Sequence, residues 1–131
     1  MLDTCTCIDL LRAGSEMIAS RAQTFALDEI ALSSVTLAEL WRGVFRSARR
    51  QHHEALLVRF CTPLAVVPFD SSAAEVYGRL RGTLERAGTP IGALDTLIAS
   101  HAIAVGATLI TSNEREFRRV PGLKIENWAR G

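Results

Sequence analysis

At 131 residues, 48% of them hydrophobic and with a formal net charge of +1, the chain has the size and composition of one globular domain, which buries about two-thirds of its unfolded surface without staples. The positive mean hydropathy and the absence of repeats or low-complexity runs exclude a disordered charged tail and a solenoid. Charge interrupts the longest apolar stretches within about ten residues, and no basic segment precedes an apolar one at the N-terminus, so neither a membrane span nor a signal peptide is expected and the expected compartment is the cytoplasm.

"MLDT" reads as the end of a first strand. Only two residues precede Asp3, which predicts a frayed strand and leaves room for a native start upstream. "CIDLLRA" reads as a short helix closed by Gly14, and Ser15 can cap a second helix whose Met17, Ile18, Ala22 and Phe25 share a face. "IALSS", residues 30–34, is the next strand. It is followed by "TLAELWRGVF", with Leu37, Leu40, Trp41 and Val44 at helical spacing and a Thr36-x-x-Glu39 capping box. A further helix, "HEALLVRFC", leads into the β-branched strand "LAVVPF", ended by Pro68.

"SAAEVYGRLRGTLERAG" opens with the capping-box pattern Ser72-x-x-Glu75 and stops at Gly88 and Pro90. Asp95 starts the next helix, with Leu94, Leu97, Ile98, His101, Ala102 and Val105 along one side and Gly106 at its end. The strand "TLITS", the short acidic helix "EREF" and a last strand in "LKIENW" complete the chain. Short β-type runs alternating with longer helical ones mark an α/β domain with a largely parallel sheet.

Cys5, Cys7 and Cys61 have no disulfide-framework spacing, which suits a reducing compartment, and with His52 and His53 they lack the paired spacing of a zinc site. Fourteen of the fifteen cations are arginine, several of them in "RSARRQHH", residues 46–53. That run is either a solvated helix face or a surface for phosphates or carboxylates. His101, on an apolar helix side, reads as a packed core histidine.

The acids at the strand-to-helix junctions carry the chemistry. Asp3 follows the first strand, Glu39 lies just after the second, Asp95 opens a helix and Glu116 lies beyond "TLITS". Singly, each has an innocent reading as a cap or a helix-dipole partner. Together they converge, because all such junctions of a parallel sheet emerge on one edge, where ligands bind. Two carboxylates about 4 Å apart repel by roughly 4 kcal/mol at an effective dielectric of 20, so the group calls for a divalent cation. All-oxygen donors favour magnesium or manganese, and such an ion with arginines around it suits hydrolysis of a phosphodiester.

"MLDTCTCIDLL", "SSVTLAELWRGV" and "PIGALDTLIASHAIAVGATLITSNEREFRRVPGLKIENW" resemble, in order and interval, the PIN-domain ribonuclease toxins of the VapC type. The resemblance covers nearly the whole chain. It implies a single PIN domain over residues 1–131, an α/β/α sandwich of three layers on a mainly parallel sheet. It also implies a Mg2+- or Mn2+-dependent endoribonuclease that cleaves RNA, tRNA among the candidates, and is inhibited by a VapB-type antitoxin. A homodimer and a higher hetero-oligomer with the antitoxin go with it, and no membrane.

Residue by residue, Asp3 of "LDT", Glu39 of "AELWRG" and Asp95 of "ALDTLIA" match the family's metal-site acids. The fourth position is filled by Glu116 of "REF" or falls at Asn113, where many PIN domains carry an acid. Cys5 stands where the family usually has Asn. Thr4 and Thr111 can hydrogen-bond the carboxylates or serve packing and capping.

Other functions compete. A receiver domain also gathers acids around magnesium, but it needs an acidic pair after the first strand and a nearby lysine, and the only lysine is Lys124. A structure-specific DNA nuclease would share fold and acids but needs extra helices to grip a duplex. A non-catalytic partner-binding module would use the apolar surface of Trp41, Phe45, Leu56, Leu57 and Phe60, for which core packing is the plainer role.

Overall fold

The computed structural model describes residues 1–130. Seven helices and four short strands alternate along them: α1 (Thr4–Leu11), α2 (Glu16–Ala22), β1 (Ala31–Ser33), α3 (Ser34–Arg46), α4 (Arg50–Cys61), β2 (Ala65–Val67), α5 (Ser71–Arg86), α6 (Ala93–Val105), β3 (Leu109–Ile110), α7 (Glu114–Phe117) and β4 (Ile125–Glu126). β1 pairs with β2 and β3 with β4, both parallel, and Leu2 bridges Leu32 on one side and Ile110 on the other, also in parallel. One sheet results, in the order β2, β1, Leu2, β3, β4.

The N-terminal segment is therefore the middle of the sheet and is not frayed, contrary to the expectation from its length. Leu2 N–H donates to the Ala31 carbonyl at 2.9 Å, Asp3 N–H to Ile110 at 3.0 Å, and the Met1 ammonium to Thr108 at 2.8 Å. Leu2 is only 1% exposed, and full burial of such a side chain is worth about 1.5–3 kcal/mol, which offsets the few ladder bonds so short a strand makes.

Helices cover both faces, giving the expected three layers. On one side Cys7, Ile18, Leu40, Val44 and Leu57 pack with Leu2, Leu32 and Trp128. On the other, Leu80 and Leu84 of α5 meet Ile98, Ala99 and Ala102 of α6, with Phe117 and Leu109. Small residues let α6 approach closely. Its Thr96 and Ser100 hydroxyls turn inward onto the Gly92 and Thr96 carbonyls, so their burial leaves no unpaired oxygen there.

Several local expectations are corrected. Ala13, not Gly14, takes the left-handed conformation after α1, at φ 51°. Ser33 caps α3 and Asp70 caps α5, so neither proposed capping box forms; Thr36 is instead buried inside the first turn. Helix α6 starts at Ala93 behind Gly92, which places Asp95 third in the helix and not at its cap. Met17, Leu94 and Val105 point outward, because α2 and α6 bury narrower or rotated faces compared with those the periodicity gave. Ser15 caps α2 and Gly106, at φ 68°, ends α6, as expected.

Candidate active site

Parallel strands point their carboxyl ends the same way, so the residues that follow Leu2, β1 and β3 share one edge. Asp3 follows Leu2 there and is 3% exposed. Its Oδ1 accepts the Thr6 N–H at 2.8 Å, so the innocent reading as a cap is also true. Thr111 lies beside it, just past β3. Burial raises the Asp3 pKa, and the polar groups of Thr111 and Thr6 work against that rise.

Glu39 comes from the second turn of α3. Its Oε1 accepts the Thr4 hydroxyl at 2.8 Å, which ties α3 to the residue after Asp3. The hydrogen bond expected from Thr4 is thus present, whereas the Thr111 Oγ1 accepts the Asn113 N–H at 2.9 Å.

Asp95 and Glu116 meet directly. Glu116 reaches back from α7 so that its Oε1 accepts the Gly92 N–H at 2.7 Å, at the uncapped start of α6, and its Oε2 accepts Asn113 Nδ2 at 2.9 Å. These donors hold the Glu116 carboxyl below its ordinary pKa, the Gly92 N–H most of all. Burial pushes Asp95 up to about 7, helped by its hydrogen bond with Glu116 and by the charges of Glu116, Asp3 and Glu39. Below about pH 7 the two carboxyls together therefore hold one proton, and Asp95 is the one whose pKa is raised.

Asp95 lies within electrostatic reach of Asp3, Glu39 and Glu116. The acids are not yet a closed cage: among the described residues no three His, Cys, Asp or Glu side chains are set as a ready-made metal cluster. Hydrogen bonds hold the carboxylates individually, from Thr4 to Glu39 and from Asn113 to Glu116. Among the described residues no lysine or arginine forms an ion pair with any of them. An all-oxygen set that is short of positive charge, and retains a proton to compensate, fits a hard divalent cation that keeps several waters of its own.

The surroundings are open to a polyanion. Arg42, one turn beyond Glu39, lines a cavity of about 410 Å3 with Glu39 and Leu94. A second cleft of about 550 Å3 runs from Glu39 past Arg12 to Val44, His53 and Leu56. Arg46, Arg49 and Arg50 of the "RSARRQHH" run are exposed, with Arg50 over the Phe45 ring at 5.7 Å. Phe45 is 63% exposed, so the apolar stripe of α3 and α4 is only partly used by the core, through Leu40, Val44 and Leu57.

The exposed Cys5 thiol is raised by burial and then by the charges of Asp3, Asp95, Asp9 and Glu39, which places it beside the acids. His101 is a core residue as expected, its Nδ1 2.7 Å from Ser33 Oγ. Sequence reasoning missed the Gly92 N–H as a partner of Glu116. The only available signal was a glycine ahead of an uncapped apolar helix.

Comparison with known proteins adds to this geometry. The PIN domain family model matches residues 1–123. Ribonuclease VapC2 of Rickettsia felis is 40% identical over 98% of this chain and 96% of its own length. The tRNA(fMet)-specific endonuclease VapC of Salmonella typhimurium is 39% identical, covering 98% of this chain and 96% of its own. Among solved structures, VapBC2 from Rickettsia felis bound to a DNA fragment from its promoter superposes with a TM-score of 0.93, over 98% of this chain and 97% of that one.

Proposed function

Since the chain belongs to the PIN-domain family, we propose that it is the toxin of a type II toxin–antitoxin pair, an endoribonuclease of the VapC type restrained by a VapB-type antitoxin. One observation carries the reading. Asp3, Glu39, Asp95 and Glu116 gather at the carboxyl edge of a parallel sheet, with no ion pair to a lysine or arginine among the described residues, at positions matching the family's acids.

The ion would be Mg2+ or Mn2+, which Asp3, Asp95 and Glu116 would hold, with Glu39 either joining them or orienting the attacking water. When bound, such a cation lowers the pKa of a water and neutralises charge gathering on the phosphate. The chain's own part is positional. Thr4 fixes the Glu39 carboxylate, the Thr6 N–H fixes Asp3, and Arg12 and Arg42 at the rim attract flanking phosphates. Water adds to phosphorus as the bond to the 3′ oxygen breaks, leaving a 5′-phosphate and a 3′-hydroxyl.

The substrate is RNA. The relatives from Salmonella typhimurium and Shigella flexneri are called tRNA(fMet)-specific endonucleases, which makes tRNA the first substrate to test. The single domain dimerises and binds its antitoxin along the cleft between α1, α3 and α4, where the half-buried Leu11 and Leu56 lie near the exposed Phe45. No helix among the described residues is long and apolar enough to cross a membrane, and the cytoplasm is the proposed compartment.

Asp95→Asn tests the assignment. Purified free of antitoxin and incubated with tRNA and Mn2+, it should lose at least about a hundredfold in cleavage rate while its circular dichroism stays that of the parent. A variant as active as the parent would remove Asp95 from the chemistry.

A further inference from the structure

Asn113 stands at the start of α7, yet its side chain accepts no helix N–H there. Asparagine at that position ordinarily uses its oxygen as a cap. Here the amide nitrogen is spent on Glu116 Oε2 at 2.9 Å, while the Asn113 backbone N–H donates to Thr111 Oγ1, also at 2.9 Å. A chain of contacts thus runs from Thr111 through Asn113 to Glu116, and from Glu116 to Gly92 and Asp95.

Helix α7 has only four residues and cannot by itself aim a glutamate. Besides its neighbour Asp95, Glu116 is aimed by two donors, one on each oxygen: the Gly92 N–H from α6 and the Asn113 amide from its own turn. Removing either widens the choice of rotamers open to it.

We infer that Asn113 is a positioning residue for the ribonuclease site: it acts through Glu116 and is not itself a ligand of the cation or a contact to RNA. The inference rests on the proposed function above. It assigns the position where many family members carry an acid a different task in this chain, namely donating a hydrogen bond that only an amide, not a carboxylate, can supply.

The test compares Asn113→Ala, Asn113→Asp and Glu116→Gln with the Asn113→Ala/Glu116→Gln double variant in the full chain. Mn2+ binding is followed by calorimetry and tRNA cleavage over a range of Mn2+ and RNA concentrations. Loss of a partner that orients a metal-binding side chain typically weakens metal binding about 10- to 100-fold. Asn113→Ala should therefore bind Mn2+ about tenfold or more weakly, with kcat at saturating Mn2+ within about threefold of the parent and an unchanged KM for RNA. The double variant should be no worse than Glu116→Gln alone.

Asn113→Asp should also bind more weakly, since it offers no donor to Glu116. Binding as tight as the parent's, or tighter, would put position 113 among the ion's ligands and overturn the proposal. A raised KM with unchanged Mn2+ affinity would make Asn113 an RNA contact and overturn it equally, and additive losses in the double variant would show that it does not act through Glu116. Parent and Asp95→Asn, run alongside, report on the underlying ribonuclease reading by activity alone, so the two can fail separately.

Discussion

At the scale of single residues, one buried hydroxyl serves two helices. Ser33 Oγ accepts the Val35 N–H at 3.0 Å, capping α3, and meets His101 Nδ1 of α6 at 2.7 Å, with both side chains 1% exposed or less. Burial lowers the His101 pKa, favouring the neutral imidazole, and the ring packs edge-on to Phe69 with centroids 5.3 Å apart. Ser33→Ala removes a cap and strands a ring nitrogen in the interior. We expect it to cost about 2–3 kcal/mol in urea unfolding at unchanged m-value. A loss below about 0.5 kcal/mol would mean that the pair contributes little. His101 was legible in the sequence as a core histidine; Ser33 as its partner was not, because 68 residues separate them and no local pattern records the contact.

At the scale of elements, helices and strands were legible wherever burial enforces a period, and their ends were not. Asp70 outcompetes the Ser72 capping box and Ser33 the Thr36 one, because a cap needs extended backbone at its own residue, and the strand β1 supplies that at Ser33. The candidate site was legible for a different reason: parallel strand order fixes which junctions meet and groups Asp3, Glu39 and Glu116, whereas Asp95 lies on α6, which follows α5 with no strand between, and was legible only through the family resemblance. The Gly92 and Asn113 contacts that aim Glu116 depend on side-chain reach and left no such trace. The turn after α1 gives a direct check. Ala13 holds φ 51° while a glycine stands one residue later, and alanine is strained in that region. Ala13→Gly should therefore stabilise the protein by about 0.5–1 kcal/mol in chemical denaturation, although it frees the unfolded chain. A net loss would mean that this turn relaxes without help.

At the scale of the whole molecule, a formal net charge of +1 hides a concentration of negative charge at one sheet edge, and stability should respond to what neutralises it. Asp95 titrates at about 7 in the fold against an unperturbed value of 3.8, so the folded state holds the extra proton between those values. Stability from that group is complete below about pH 4 and falls as pH rises through 7; Asp3, also raised by burial, acts in the same direction. His101 opposes them, since its lowered pKa removes stability as pH falls below about 6.5. A divalent cation competes with the proton for Asp95 but leaves His101 untouched. It stabilises the folded state by mass action, more strongly once the proton has left. The rise in melting temperature on exchanging EDTA for Mn2+ should thus be clearly larger near about pH 8 than near about pH 5.5. Asp95→Asn should flatten that difference, because an amide has no proton to yield. Equal rises at both pH values in the parent would separate ion binding from the acid cluster and place the cation elsewhere on the molecule.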